Sequence, residues 1–513
     1  MNNQNQLQQQ NLPRQKPVVI TSGNSNLNYE RVVKFGNVFP KSPKGILPGI
    51  YGFYGSSKNG VENYEPINEY GFLSNQITLD KPILFDGLAY YSIEAFYYAM
   101  KTSDKDKRRR IAQLNMKQSS AAVKSIGKTI PEKPDWYIQK WAVLLYALRD
   151  KFSPMCFLSA LGAGGLSVSF FMYLMFLVPH PNTPLATYDF VVSALLKGDW
   201  LSLVTAFSLV FIIAFAYLHF KLLVWNTKQF NLYKKSKNYE DLLNSNSQIT
   251  LMTIPLTYTM TINVCFILGA VFVPGLWGVV EYLFPFALIA FAIAGYFALK
   301  IFINYFTRLL TKGDFDFSKN NNLSQMISIF AFSMVAVGFA APGAMSHNII
   351  INAIGIFGAL FFASIAILFM FIKITMGFKD MFEKGLSLET APSIWITIPI
   401  LTLLGITFIR ISFGLEHHFS APLAKSSLFV LTSVVLSLQI IFGVLGYMIM
   451  KKMDYFTKYI ESTNKSAISF ALICPGVAFM VFGMFFINYG LIFNNIVDKY
   501  SLAHFIVMLP FIY

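Results

Sequence analysis

Few residues able to do chemistry occur in the long apolar segments of this 513-residue chain, and two of them stand out. Cys474 directly precedes Pro475, so its thiol could be redox-active at a helix break, although free cysteine is commonly a small buried hydrophobe. A reactive thiolate would need a nearby cation, and the sequence identifies none. Arg410 lies toward one end of another apolar run, where it could attract anions or extend to lipid headgroups.

Other polar groups in apolar runs have two interpretations each. Thr257, Thr259 and Thr261 form a stripe near Pro255 and could line a pore or bond to neighbouring helices. The run Glu416–His418 is predicted to lie in an outer loop. Adjacent histidine side chains point apart in most backbones, so no metal site is predicted there.

The composition indicates a membrane protein. The chain is 55% hydrophobic and only 13% charged, whereas soluble domains average about 25% charged residues. Its net charge is +15. A membrane protein keeps lysine and arginine in its cytoplasmic loops, which accounts for this charge, so no nucleic-acid partner is predicted. Three cysteines, all in apolar segments, exclude a disulfide framework. The polar stretch Met1–Gln10 is predicted to be disordered and not a signal peptide, and no cofactor is predicted.

The pattern of hydrophobic residues changes near Phe152. Before it, apolar runs are short and interrupted; after Ser153, long apolar runs alternate with short loops. We predict a polar disordered segment over 1–45, a small α-rich α+β domain over 46–152 and a transmembrane domain over 153–513. No linker separates the last two at Lys151–Pro154, whereas domains are usually joined by a polar or flexible connection.

The transmembrane domain is predicted to contain about ten helices, because an apolar run of 18 or more residues can span a bilayer. The predicted fold is therefore mainly α, a polytopic ten-helix membrane protein. The predicted spans lie near residues 155–178, 200–225, 249–274, 277–307, 323–345, 348–376, 391–413, 424–450, 463–491 and 502–513.

Basic residues alternate with these spans. The even-numbered loops are rich in lysine and arginine, and the odd-numbered loops have few. This alternation predicts a protein of the cell (inner) membrane whose N-terminal domain, even loops and C-terminus lie in the cytoplasm. The basic residues of the even loops are Lys228, Lys234, Lys235, Lys237, Arg308, Lys312, Lys319, Lys379, Lys384, Lys451, Lys452 and Lys458.

Helix-breaking residues favour the odd spans. Pro255, Pro342, Pro399 and Pro475 fall in spans 3, 5, 7 and 9, span 1 contains Gly162–Gly165, and spans 2, 6 and 8 lack proline. A proline frees a backbone carbonyl that needs another partner in lipid. The odd spans are therefore predicted to share an interior, wetted environment inside an outer ring of even spans, as in a pore or transport path.

Ten spans with broken odd helices resemble the tellurite-resistance/slow-anion-channel superfamily, in which five helical hairpins surround a pore. The run Leu161–His180 more narrowly resembles the TsoY-type membrane proteins, some of which are selenoproteins. In the anion-channel family a phenylalanine beside a proline on the ninth helix plugs the pore, but here Cys474 has that place. Phe470 and Phe479 are the nearest aromatic residues. The resemblance implies a small anionic solute, with Cys474, Pro475, Phe470 and Arg410 as pore or redox candidates.

The N-terminal region has a different set of motifs. Pro82–Gly87 reads as a short strand ending in an Asp-Gly turn, Ser92 as a helix N-cap, and Tyr137–Phe152 as an amphipathic helix. The basic run Lys105–Arg110 reads as a solvated loop or a contact to anionic lipid, and it could also bind a phosphate. The order of motifs resembles the NADAR family of N-glycosidases. The matching positions are Gly71–Asn75, Asp86–Gly87, Glu94, Ala99, Lys101, Lys124, Gly127, Asp135–Trp136 and Lys151–Phe152.

This resemblance implies hydrolysis of a C–N glycosidic bond in riboflavin-pathway intermediates or ADP-ribosyl groups. It makes Glu94 the catalytic carboxylate, which would stabilise an oxocarbenium-like state, and Asn75, Lys101 and Trp136 substrate-binding residues. From the residues alone, Glu94 reads first as a carboxylate favoured at a helix start by the helix dipole, and only the resemblance brings the catalytic interpretation level with it.

The chain departs from the NADAR pattern in three ways. Ala95 and Tyr98 replace the usual His and Gln, and the C-terminal quarter of the family domain is missing.

Three functions follow from the sequence. The first is a channel or transporter for a small anion with a cytoplasmic domain that senses a nucleotide or ADP-ribose-like ligand. The second is a membrane-anchored N-glycosidase, although one span would suffice as an anchor. The third is a fusion whose N-terminal domain is inactive. All three have the lipid bilayer as a partner, and a homo-oligomer is compatible with each.

Overall fold

A computed structural model describes residues 78–116 except 86 and 103, positions 123, 125, 126 and 129, and residues 152–512 except 314, 316–321, 420 and 462–466. The chain divides into two compact units, Met1–Asp150 and Lys151–Tyr513.

The described part of the N-terminal unit is a β-hairpin followed by two helices. Strands β1 (Thr78–Phe85) and β2 (Leu88–Ser92) are antiparallel, with Phe85 paired to Leu88. Gly87 has φ +74° in the intervening turn, which is the conformation that makes Asp-Gly favourable in a two-residue hairpin loop. The predicted strand and turn are confirmed.

Two short helices complete this hairpin's core. Helix α1 (Ile93–Met100) begins after Ser92, whose Oγ accepts a hydrogen bond from the Ala95 N–H at 3.1 Å. This confirms Ser92 as a cap. Helix α2 is Lys105–Met116, and buried side chains of both helices pack against Tyr90 of β2.

The basic run Lys105–Arg110 forms the first half of helix α2, so the prediction of a loop was wrong. Asp104 Oδ1 accepts hydrogen bonds from the backbone N–H groups of Lys107 (3.2 Å) and Asp106 (3.0 Å). These bonds, the one from Lys107 above all, hold the pKa of Asp104 below its usual value. Asp104 therefore caps the N-terminus of helix α2, because its side chain satisfies backbone N–H groups that a helix start leaves without an intrahelical partner. This cap explains why the basic run is helical.

In the second unit, nine helices of the described residues are long and apolar enough to cross a membrane, which is compatible with a multi-pass membrane protein. We number them spans 1–9: Pro154–Leu177, Trp200–Tyr233, Asn246–Phe272, Leu276–Lys312, Ser324–Met345, Ile349–Lys384, Ala391–Phe419, Lys425–Lys452 and Ile468–Ile492. Shorter helices are Tyr188–Leu196, Lys237–Leu243 and Leu502–Met508.

The structure accounts for nine of the ten predicted spans. The predicted tenth is the short apolar helix Leu502–Phe511, which at 1.5 Å per residue measures about 15 Å, half the hydrocarbon thickness of a bilayer. It packs on span 9, where the Phe479 and Phe511 rings are 5.0 Å apart.

The odd spans form a closed ring. Span 1 contacts span 3, span 3 contacts span 5, span 5 contacts span 7, span 7 contacts span 9, and span 9 contacts span 1. Each even span packs against members of this ring: span 2 on span 1, span 4 on spans 3 and 5, span 6 on span 5, and span 8 on span 7. The even spans therefore lie around the ring.

Burial follows the same division. Between 56% and 94% of the most apolar window is buried in each odd span, against 28–33% in each even span. The exposed side chains of the even spans are large and apolar, as a lipid-facing surface requires. This agrees with the predicted inner and outer sets.

Spans 5, 6 and 7 approach each other through glycine. A Cβ at Gly355 of span 6 would lie 2.6 Å from Gly343 N and 2.9 Å from Phe339 O, both backbone atoms of span 5. A Cβ at Gly414 of span 7 would meet Gly343 O. Asn352 Nδ2 donates to the Gly343 and Gly414 carbonyls in the same contact. The small glycine residues thus allow the backbones of spans 5, 6 and 7 to pack in direct contact.

Gly355→Ala is expected to lower the melting temperature of the detergent-purified protein clearly, because the opposing backbone atoms cannot move aside as a side chain could. Overpacking of this kind typically costs about 1–3 kcal/mol. Gly476→Ala is the matched control, since Gly476 is an exposed glycine of span 9 and a methyl group added to it would have no other atom within 4 Å. Equal melting temperatures for the two variants would contradict the close contact.

Candidate solute path

A small cavity lies between the first turns of four odd spans. Its volume is about 30 Å³, enough for one or two water molecules. The lining residues are Met155 and Leu158 of span 1; Ser324, Ile327 and Phe330 of span 5; Pro392, Ser393, Ile396 and Pro399 of span 7; and Ile468, Ala471, Cys474 and Pro475 of span 9. These four spans begin together, so they run in the same direction; we call this the cavity end.

Every odd span begins at its cavity end with a 3₁₀ segment. The segments are Pro154–Cys156, Asn246–Met252, Ser324–Met326, Ala391–Ile396 and Ala467–Leu472. Helix N-termini carry unpaired N–H groups and a partial positive charge. Five of them at one end of the ring favour negative charge there.

The prolines mark these helix starts. Pro255, Pro399 and Pro475 are each the third residue of the α-helix that follows a 3₁₀ segment. A proline in the first helical turn removes no intrahelical hydrogen bond. These prolines therefore do not break the spans, and the prediction that they do was wrong. Only Pro342 lies late in its helix, in the last turn of span 5.

The glycine run of span 1 also serves packing. Helix Phe157–Leu177 is continuous through it. A Cβ at Gly162 would lie 3.0 Å from Ile473, and one at Gly165 would lie 3.1 Å from Val477, both on span 9. The run therefore lets spans 1 and 9 close the ring, and it does not interrupt the helix.

Arg410 lies on the face of span 7 that lines the cavity. It follows Pro399 by eleven residues, which is about three helical turns, so the two share a face about 16 Å apart. Its Nη1 donates a 2.9 Å hydrogen bond to Val337 O of span 5, and its charge acts on Tyr489 of span 9. Arg410 thus bonds to span 5 and lies within electrostatic range of span 9, the two ring neighbours of span 7, as expected of a side chain on the inner face of the ring.

No carboxylate forms an ion pair with Arg410 among the residues that the structure describes. Arg410 is half-buried, and an ionisable side chain within a membrane-spanning helix usually has a partner or marks a functional position. Tyr489 belongs to Phe486–Ile492, a π-helical segment at the end of span 9, and such segments are frequent at functional sites. Arg410 is thus an uncompensated positive charge inside the ring.

Positive side chains surround the cavity end. Even spans finish where odd spans begin, as the contacts of Tyr305 with Gln325, Gly446 with Trp395 and Asn226 with Ser159 indicate. The basic residues of the even loops that the structure describes therefore lie at this end. Their summed field raises the local concentration of anions.

The threonine stripe of span 3 bonds helices together. Thr257 Oγ1 donates to Phe157 O of span 1 at 3.3 Å, and Thr261 Oγ1 lies 2.9 Å from His219 Nε2 of span 2. His219 Nδ1 lies 2.8 Å from Ala160 O of span 1. Of the two interpretations of this stripe, the contacts favour interhelical bonding for Thr257 and Thr261.

The predicted pore residues are partly brought together. Cys474 and Pro475 line the cavity, whereas Arg410 does not and lies about three helical turns beyond the cavity-lining Pro399 on span 7. Phe470 lies in the 3₁₀ segment of span 9, half-buried against the apolar core, and does not line the cavity. Phe330 of span 5 is the aromatic residue that does, a position the sequence analysis did not single out.

The predicted residues of the N-terminal unit are placed only in part. Glu94 is the second residue of helix α1, and Lys101 directly follows the last residue of that helix. Asn75 and Trp136 lie outside the described residues.

The run Glu416–His418 belongs to the last turn of span 7, so its placement in a loop was wrong. The ring centroids of His417 and His418 lie 4.6 Å apart.

Within the described residues, no group of three or more His, Cys, Asp and Glu side chains has the geometry to hold a metal ion. No protein-family model, curated protein or solved structure matches the chain.

Proposed function

We propose that the second unit conducts a small anion along the axis of the ring of odd spans. The observation that carries the proposal is Arg410, a cation inside the ring on the helix face that lines the cavity. It has no carboxylate partner among the described residues. An anion passing it would supply the missing negative charge.

Two further features support an anion over a cation. Five helix N-termini and the basic even loops surround the cavity end, and both favour negative charge. The closed ring with an outer set of spans also agrees with the resemblance to the tellurite-resistance/slow-anion-channel superfamily. The alternation of basic loops supports an inner-membrane location with the cavity end in the cytoplasm.

The test is chloride efflux from liposomes that contain the purified full-length chain. Chloride-loaded vesicles are diluted into an impermeant anion, with a potassium ionophore to balance charge, and external chloride is measured. We expect efflux well above that of protein-free vesicles, and efflux of potassium without the ionophore at the protein-free rate. Chloride efflux equal to the protein-free rate would overturn the proposal.

For the N-terminal unit we propose N-glycosidase activity of the NADAR type, on ADP-ribosyl groups or early riboflavin intermediates. The supporting observation is the order hairpin, capped turn, helix, which brings Glu94 to the start of α1 as the motif requires.

Glu94→Gln is expected to abolish hydrolysis of these substrates by the full-length protein, because the amide cannot stabilise an oxocarbenium-like state. Asp106→Asn is the control: Asp106 is an exposed carboxylate of α2 paired with Arg109 at 3.5 Å. Hydrolysis that survives Glu94→Gln would refute the assignment of Glu94. Absence of hydrolysis in the unaltered chain would support the third alternative, an inactive N-terminal domain.

A further inference from the structure

A cluster of imidazoles and carboxylates lies at the other end of the ring, where the odd spans finish. The ring centroids of His347 and His417 are 5.0 Å apart, and those of His417 and His418 are 4.6 Å apart. His347 comes from the connection between spans 5 and 6, and the other two come from the last turn of span 7. We call these three residues the histidine cluster.

Glu281, from the start of span 4, fixes the cluster in place. Its Oε2 accepts a 2.8 Å hydrogen bond from Ser346 Oγ, and its Oε1 accepts one of 2.7 Å from the His347 backbone N–H. His418 Nε2 lies 2.9 Å from Ser346 O, so a protonated Nε2 donates to that carbonyl. These bonds leave the His347 and His417 rings exposed.

The cluster lies on the same face of span 7 as the proposed path. His417 follows Arg410 by seven residues, which is two helical turns, or about 10 Å along the same face. An anion moving along that face from Arg410 therefore reaches His417 next. The histidine cluster therefore lies where the proposed path reaches this end of the ring.

The charge of the histidine cluster depends on protons. The charged and titratable groups that act on His417 are His418, His347, Glu281 and Glu416, with Arg410 deeper on the same face; span 6 presents the uncharged Asn348 and Asn352 there. With neutral imidazoles the two carboxylates dominate, whereas each imidazole that gains a proton adds one positive charge. Histidine is the side chain that ordinarily changes charge between about pH 5 and 8.

We propose that the histidine cluster is an anion-binding mouth that fills when its imidazoles are protonated, so that acid increases anion conduction. The proposal rests on the proposed anion path. The neutral cluster, dominated by Glu281 and Glu416, repels an anion; the protonated cluster attracts one and passes it to Arg410. The proposed ligand is a small inorganic anion.

The test measures chloride efflux from liposomes with the full-length chain at symmetric pH from 8 to 5.5. We expect a several-fold rise in chloride efflux on acidification. His347→Gln is the first variant because the exposed His347 ring has no hydrogen bond among the described residues, so the fold should tolerate it. His417→Gln is the second, because His417 contacts both other imidazoles.

Both variants are expected to flatten the rise on acidification at least twofold. His180→Gln is the control, since His180 lies in the connection after span 1 and bonds to Thr183 O and Met175 O; its pH profile should match the unaltered chain. Efflux without pH dependence, or a rise that both variants retain, would overturn the inference and leave the anion path standing. No efflux at any pH would overturn both.

Discussion

Arg410→Gln is expected to reduce chloride efflux at least about tenfold. A unit charge about 6 Å from an anion contributes roughly 3 kcal/mol at an effective dielectric of about 20, and about 1.4 kcal/mol corresponds to tenfold in occupancy. Glutamine removes the charge but retains an N–H that can donate to Val337 O, the observed partner. The change therefore separates the electrostatic role of Arg410 from its structural one.

Arg410→Lys is the matched control for this prediction. Lysine preserves the positive charge at the same position on span 7 but loses the planar guanidinium. We expect Arg410→Lys to retain most of the efflux and both variants to melt within a few degrees of the unaltered chain. The opposite ranking, with glutamine active and lysine inactive, would show that Arg410 serves to hold spans 5 and 7 together.

Phe330→Ala is expected to increase chloride efflux several-fold. Phe330 is the only aromatic residue lining the cavity among the described residues, and its side chain is 4% exposed. The cavity holds about 30 Å³, too little for a hydrated anion, so a bulky side chain here limits passage. Removing the ring widens the path where the four odd spans begin.

Loss of a buried phenylalanine also destabilises a protein by about 3–5 kcal/mol, so the prediction needs a control of equal cost. Phe332 is on the same helix and is fully buried, but its ring faces Phe302 of span 4 at 5.1 Å and Phe362 of span 6 at 6.1 Å. Phe332→Ala should lower stability without raising efflux. A similar rise in both variants would indicate leakage through a loosened bundle and not a widened path.

Much of the membrane fold was predictable from the sequence. The length of each apolar run fixed nine spans, because about twenty apolar residues match the bilayer thickness. The division into inner odd spans and outer even spans was also predicted, but the role given to the prolines, as breaks within the odd spans, was wrong. Pro399 and Pro475 mark the change from 3₁₀ to α-helix at the cavity end, and they do not kink the middle of a span.

The candidate path was less predictable because it joins residues from spans far apart in the chain. Cys474 and Arg410 stood out as unusual residue types in apolar runs. Phe330 is one of 51 phenylalanines, and nothing in its local sequence marks it as facing the axis. His347 and His417 are seventy residues apart, and only the glycine contact between spans 5, 6 and 7 brings their rings together.

Anion conduction is tested most directly by the reversal potential of the full-length chain in a planar bilayer under a potassium chloride gradient. We expect a current that reverses near the chloride equilibrium potential, because Arg410 and the five helix N-termini favour anions. Reversal near the potassium equilibrium potential would contradict anion conduction, and the absence of any protein-dependent current would contradict a conducting path.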